Sequence, residues 1–317
     1  MAAKLRFGVR LSVQGEMGAT SGGFEYALEQ ARIAEDLGYD SIWIPDHVEN
    51  AHLERGKSIL EHWTTITAIG ALTKTLRLGG HSLNDNFRHP GLTAKIAATL
   101  DHVTGGRVIM APGSGWFEAE AKAYGFDWQD STGRKARLRE SIAVMQSLFT
   151  EELTTFEGEY FQLKDAYCNP KPVQKPYPPF WIAGDSSETQ DMIAEFGDCW
   201  FMYSKAPNVV GDLIEPMRQR RKDRPLEVAL SAVLLAGRDE DETLKWAAMY
   251  AKEREHRFPI PPTVDDVMQS NLLGDPGAVR ERLHQWSEAG VDYVVIQPMP
   301  PVEGMRFFGD KILPEFS

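Results

Sequence analysis

LRLGGHSLNDNFRHPGLTAKIAATLDHVTGGRVIMAPGSGW, residues 76–116, decides the fold. Leu76 to Leu83 is an apolar run that breaks into the polar residues Asn84, Asp85 and Asn86. His89-Pro90 opens a helix with the apolar positions Leu92, Ile96, Ala97, Leu100 and Val103, and Gly105-Gly106 stops it. Arg107 to Pro112 is the next apolar run, followed by Gly113-Ser114-Gly115-Trp116. Two apolar strands joined by one helix form a right-handed, parallel βαβ unit. Its polar and Gly-rich residues fall at the C-terminal strand ends, where barrels and doubly wound sheets bind ligands.

Outward from this unit the same rhythm repeats. Apolar strands are expected near residues 6, 41, 76, 107, 179, 199, 226 and 291, each but the last followed by a helix. Phe24 to Leu37 gives a broad apolar helical face ended by Gly38, and SIWIP (41–45) a buried strand running straight into Asp46-His47. Eight such units suit a single (β/α)₈ TIM barrel. A doubly wound open sheet fits less well, because no GxGxxG follows the first strand. One stretch breaks the rhythm after the fourth unit. Residues 153–178 alternate around Glu157-Gly158 and then run Pro-rich (NPKPVQKPYPP), so they predict a hairpin excursion and an extended connector. Residues 49–60 and 258–271 lack a clear period and are candidate lids.

The 317 residues carry a net charge of −12 and no basic run, which argues against a nucleic-acid partner. No apolar run approaches a membrane span, and the N-terminus is too short in apolar residues for a signal peptide. Cys168 and Cys199 are the only cysteines and lack metal-type spacing; His62, His81, His89 and His102 form no ligand set, so no metal is expected. These features predict a reduced cytoplasmic protein.

Among candidate site residues, His47 would face the barrel mouth and can move a proton near neutral pH. A rim histidine braced by Asp46 reads as well. Gly184-Asp185-Ser186-Ser187 opens a helix, where free N–H groups and the dipole suit a phosphate, or Asp185 or Ser186 merely caps it. Gly113 and Gly115 let backbone approach a flat ligand. Trp63, Trp116 and Phe117 are pocket aromatics; Trp43 is a fourth candidate or pure core.

YALEQARIAEDLGYDSIWIPDH, FRHPGLTAKIAATLDHVTGGRVIMAPGSGWFEAEAKAYGF, TFEGEYFQLKDAY…PKPVQKPYPPFWIAGDSSET and GDPGAVRERLHQWSEAGVDYVVIQP resemble, in order and over nearly the whole chain, the bacterial luciferase-like flavin oxidoreductases. The resemblance implies a (β/α)₈ barrel over residues 1–317, with the 153–178 insertion and a flavin-type cofactor across the strand ends. One branch of that family is two-component monooxygenases that use reduced FMN and O₂, fed by a separate flavin reductase and acting on a small organic substrate. Another uses the deazaflavin coenzyme F(420) for hydride transfer, and some relatives bind flavin without known catalysis. The resemblance further implies that His47 sits beside the isoalloxazine and that a non-prolyl cis peptide at His81-Ser82, with Asn84 beyond it, backs the ring. Gly113, Ser114 and Gly115 would flank the ribityl chain, and Gly184, Asp185, Ser186 and Ser187 the phosphate. Lys135 stands where some members place a phosphate-side tyrosine. Trp116 replaces the acid of the deazaflavin sugar-phosphate dehydrogenase pattern. The FMN branch is the expectation, with a homo-oligomeric assembly.

Overall fold

The computed structural model describes residues 5–13, 23–51, 57–221, 224–236, 239–253 and 262–316. Eight of the apolar runs form strands where the sequence places them: β1 (Arg6–Arg10), β2 (Ser41–Ile44), β3 (Arg77–Gly80), β4 (Val108–Ile109), β5 (Trp181–Ala183), β6 (Cys199–Tyr203), β7 (Glu227–Ala236) and β8 (Tyr293–Pro298). All are parallel, in the order β4-β3-β2-β1-β8-β7-β6-β5. A parallel bridge between Met110 and Phe180 closes the ring: Met110 N–H donates to Pro179 O at 2.9 Å, and Trp181 N–H donates to Met110 O at 2.7 Å. The result is a (β/α)₈ barrel.

Side-chain alternation along each strand sorts the core into two sets. Ile42 and Ile44 point outward to the helices, whereas Trp43 joins Ile109, Trp181, Phe201, Tyr293 and Val295 inside the barrel. Trp43 lies 5.0 Å, ring to ring, from both Trp181 and Phe201, so it is core rather than pocket. Gly79 makes room for it, since a Cβ there would come within 2.4 Å of the Trp43 ring.

The helices that position the site are α1 (Phe24–Leu37), α2 (His62–Leu72), α3 (Pro90–Thr104), α4 (Glu118–Ala123), α5 (Ser131–Thr150) and α6 (Ser187–Phe196). Gly38 ends α1 in the left-handed region (φ 82°). His89 caps α3 by accepting the Gly91 N–H, and Pro90 begins it. The buried face of α3 differs from the expected one. Ala94, Ala97, Ala98 and Leu100 face inward, while Leu92 and Val103 are 55% and 50% exposed. Small residues are what close packing of α3 on α2 and α5 requires, and side-chain size misled the reading.

The excursion forms an antiparallel hairpin, Thr154–Glu157 with Gln162–Ala166. Glu140 of α5 bolts its turn down, accepting the N–H groups of Glu159, Tyr160 and Phe161 at 2.8, 2.9 and 3.1 Å. The Pro-rich connector is tied to buried Asp101 by the Gln174 backbone (2.9 Å) and side chain (2.7 Å).

Three expectations are corrected. The last strand is followed by helices, Pro301–Lys311 and Leu313–Phe316, which the Pro300-Pro301 pair obscured although proline is well suited to a first turn. Within 258–271, Val264–Ser270 is a helix opened by a Thr263/Asp266 capping box. The third and fourth strands are shorter than expected, because beyond them Leu83–Asn84 and Pro112–Gly113 pair separately. Residues 52–56 and 258–261 of the two candidate lids lie outside the described residues. Among the described residues no helix is long and apolar enough to cross a membrane.

Candidate active site

Strand β2 runs without a break into Asp46 and His47, and both are buried. His47 Nδ1 lies 2.8 Å from Glu120 Oε2. Glu120, on α4, is fully buried, and its other oxygen accepts the Val48 and Glu49 N–H groups at 2.6 and 3.0 Å. A carboxylate so held favours the tautomer with the proton on Nδ1, which leaves Nε2 as the basic nitrogen. Trp116 and Phe117 meet the His47 ring edge-on at 5.8 and 6.5 Å and stack on each other at 5.2 Å.

The carboxylate that faces the His47 ring is thus Glu120. Asp46 forms a bidentate pair with Arg88 (2.7 and 3.0 Å) and accepts the Asn84 N–H at 2.9 Å. Arg88 also reaches Glu61 at 2.8 Å, and Glu61 caps α2. Sequence reasoning missed both Glu120 and Arg88. Glu118 and Glu120 look alike on a short acidic helix, and only the packing of α4 shows which one turns inward.

Beyond β3 the His81–Ser82 peptide is cis, as expected. His81 Nε2 lies 2.9 Å from Ser231 Oγ, and its ring meets Phe201 and Tyr203 edge-on. Desolvation first, then the Arg10 charge, pushes the imidazole down to about 3, so His81 stays neutral at physiological pH.

The next two loops are built against each other. Asn86 Nδ2 donates to Asn84 Oδ1 (3.2 Å) and to Ser114 O (3.0 Å). A Cβ on Gly113 would lie 2.4 Å from Ser82 Oγ. One on Gly115 (φ 75°) would lie 2.5 Å from Asn86 Nδ2. Both glycines therefore serve loop-on-loop packing, a use the sequence did not reveal. Ser82, Asn84, Gly113, Ser114 and Gly115 form one surface.

At the end of β5, Gly184 (φ 126°) turns the chain, and its carbonyl accepts the Trp200 indole N–H at 2.9 Å. Ser186 caps α6 by accepting the Thr189 N–H. Asp185 pairs with Lys205 at 2.6 Å. Lys135 reaches this turn from α5, 3.4 Å from Glu188. Hydrogen bonds from its own backbone and from Ser186, then the Lys135 charge, hold the Glu188 carboxyl at about 2. Two hydroxyls and an amine at a helix start fit a phosphate, with Glu188 as an opposing charge. Trp63 is placed apart in character: it is buried in the main core, edge-on to His62.

The sequence profile of the luciferase-like monooxygenases matches residues 5–293. The chain belongs to the luciferase-like monooxygenase family. Like others of this family it is an oxidoreductase enzyme. The FMNH(2)-dependent dimethylsulfone monooxygenase of Pseudomonas putida is 26% identical over 93% of this chain and 85% of its own. The F420-dependent glucose-6-phosphate dehydrogenase of Intrasporangium calvum is 28% identical over 89% and 91%. Among solved structures, an F420-dependent secondary alcohol dehydrogenase in complex with an F420-acetone adduct superimposes with a TM-score of 0.84, at 22% identity over 99% of both chains. The long-chain alkane monooxygenase does so at 0.80 and 16%, over 99% and 91%. At these identities the structural likenesses establish the barrel shared across the luciferase-like family.

Proposed function

We propose that this luciferase-like protein is the oxygenase of a two-component pair, using reduced FMN and O₂ to oxidise a small organic substrate, with the reduced flavin delivered by a separate reductase. The observation that carries the reading is the buried His47–Glu120 pair set against Trp116 and Phe117 at the barrel mouth. It joins a proton-handling group to a pair of stacked aromatic rings that a flat cofactor or an apolar substrate can lie against. The likeness to a dimethylsulfone monooxygenase along the chain supports it, as does Trp116 in place of the acid of the sugar-phosphate dehydrogenase pattern.

Reduced FMN, when bound, supplies the electrons that divide O₂ between substrate and water. The remaining work falls to side chains. Ser186, Ser187 and Lys135 would hold the phosphate, Ser82 and Asn84 would back the ring, and Gly113, Ser114 and Gly115 would flank the ribityl chain. Nε2 of His47 takes or gives the proton, while Glu120 fixes its tautomer and steadies the imidazolium. In the cell the reading places the protein in the cytoplasm as a homo-oligomer.

A second reading, deazaflavin-dependent hydride transfer with His47 protonating substrate or product, draws on the 28% identity to an F420-dependent dehydrogenase. A flavin-binding barrel without turnover is disfavoured by the intact His47–Glu120 pair. Anaerobic titration of the protein with reduced FMN and, separately, with reduced deazaflavin tests the choice. Tighter FMN binding followed by O₂-dependent oxidation is expected. Preference for the deazaflavin overturns the FMN reading, and affinity for neither overturns both.

A further inference from the structure

One face of α5 makes two unrelated attachments. Glu140 grips the turn of the inserted hairpin through three backbone N–H groups. Arg137, one turn earlier, sends Nη1 to Asp85 O (2.7 Å), Asp85 Oδ2 (3.0 Å) and Asn86 Oδ1 (3.2 Å). Residues three apart on a helix are neighbours, so the two grips share one surface. Phe161 of the hairpin joins them: the Arg137 guanidinium lies 5.1 Å over its ring, and the His89 ring meets it edge-on at 5.3 Å.

The chain of contacts continues inward. With its side-chain oxygen held by Arg137, Asn86 turns its amide to Asn84 Oδ1 and Ser114 O. Asn84 and Ser114 belong to the two loops assigned above to the flavin. The Asp85 carboxyl is buried beneath them, and a buried carboxylate stripped of its cation is strongly disfavoured.

We propose that Arg137 is a positioning residue that couples the inserted hairpin to both cofactor loops, holding residues 82–86 and 113–116 in register through Asp85 and Asn86. The flavin assignment of those loops rests on the proposed function; the mechanical coupling does not. The hairpin is then a brace for the site rather than an ornament of the barrel.

Hydrogen exchange on the full-length protein without cofactor tests the coupling, in wild type and in Arg137→Gln, Arg137→Lys and Phe161→Ala. Exchange is expected to quicken at residues 82–86 and 113–116 together in Arg137→Gln and Phe161→Ala, with β1, β2 and β8 still protected. Arg137→Lys, which keeps a cation but places it on a shorter, flexible stem without the planar guanidinium, should fall between. Affinity for reduced FMN should weaken about three- to ten-fold in Arg137→Gln, the worth of one or two hydrogen bonds. A rise across the whole barrel, a rise in only one loop, or no rise overturns the coupling. Wild-type protein that binds no reduced FMN overturns the flavin reading and leaves the exchange result to decide the coupling on its own.

Discussion

His47 is fixed by the Glu120 carboxylate at Nδ1, which sets the ring's orientation at the barrel mouth. His47→Ala is expected to lower turnover about 10²–10⁴-fold, the usual share of general acid–base catalysis. It should also cost about 1–2 kcal/mol of stability, because Glu120 loses one of its donors while buried. Single-turnover rate and melting temperature on one preparation check both. Near-normal turnover in His47→Ala and His47→Asn would leave the residue as a brace. His81 acts in a second way. Its folded value near 3 lies below the ordinary 6.5, so the unfolded chain takes up a proton that the folded chain refuses. Stability is whole above about pH 6.5 and drains as pH falls toward 3. His81→Asn should flatten that acid limb by up to about 1.4 kcal/mol per pH unit, read as urea midpoint against pH. An unchanged slope would mean that His62, depressed by burial likewise, dominates. At this scale the sequence announced His47 and His81 through their positions after strands. It was silent on Glu120 and Arg88, whose roles depend on elements 73 and 42 residues distant from their partners.

At the scale of the element, the start of α6 carries opposing charges. Lys135 and two hydroxyls favour an anion, and Glu188 opposes it. Ser186→Asp keeps a good capping group and should fold, yet weaken reduced FMN by about ten-fold or more through like-charge repulsion. Glu188→Gln should move the other way, tightening FMN by about two- to five-fold, the scale of one exposed charge contact. Riboflavin, which lacks the phosphate, should respond to neither change. Equal responses from both ligands would detach the phosphate from this turn. The strand-to-helix turn was legible in Gly-Asp-Ser-Ser, and Ser186 caps the helix there; the residues alone did not separate a cap from a phosphate site. The inward face of α3 was not legible, since burial there follows fit against α2 and α5 rather than hydrophobicity.

For the whole molecule, eight mainly apolar runs, most of them followed by a helix, sufficed to place the eight strands of the ring, because strands covered by helices on one side and by the barrel interior on the other are largely buried. What the spacing could not show was the filling. Gly79→Ala would press a methyl into Trp43 at the centre of the barrel, and overpacking of this kind costs about 1–3 kcal/mol. Denaturant unfolding followed by tryptophan fluorescence should report the loss as a lower midpoint with an unchanged slope. A wild-type midpoint would show that the indole can yield.

The ring has one weak seam. β1 and β8 share a ladder of four residue pairs, whereas the chain beyond β4 is bridged to the start of β5 by the single pair Met110–Phe180. The chain departs and returns at that seam through the 153–178 excursion, so the molecule is two four-strand arcs, each covalently continuous. A cut in the Pro-rich part of the excursion, past the hairpin, would sever no strand. The halves, produced as separate polypeptides, form a natural split reporter in which regained signal measures barrel closure itself.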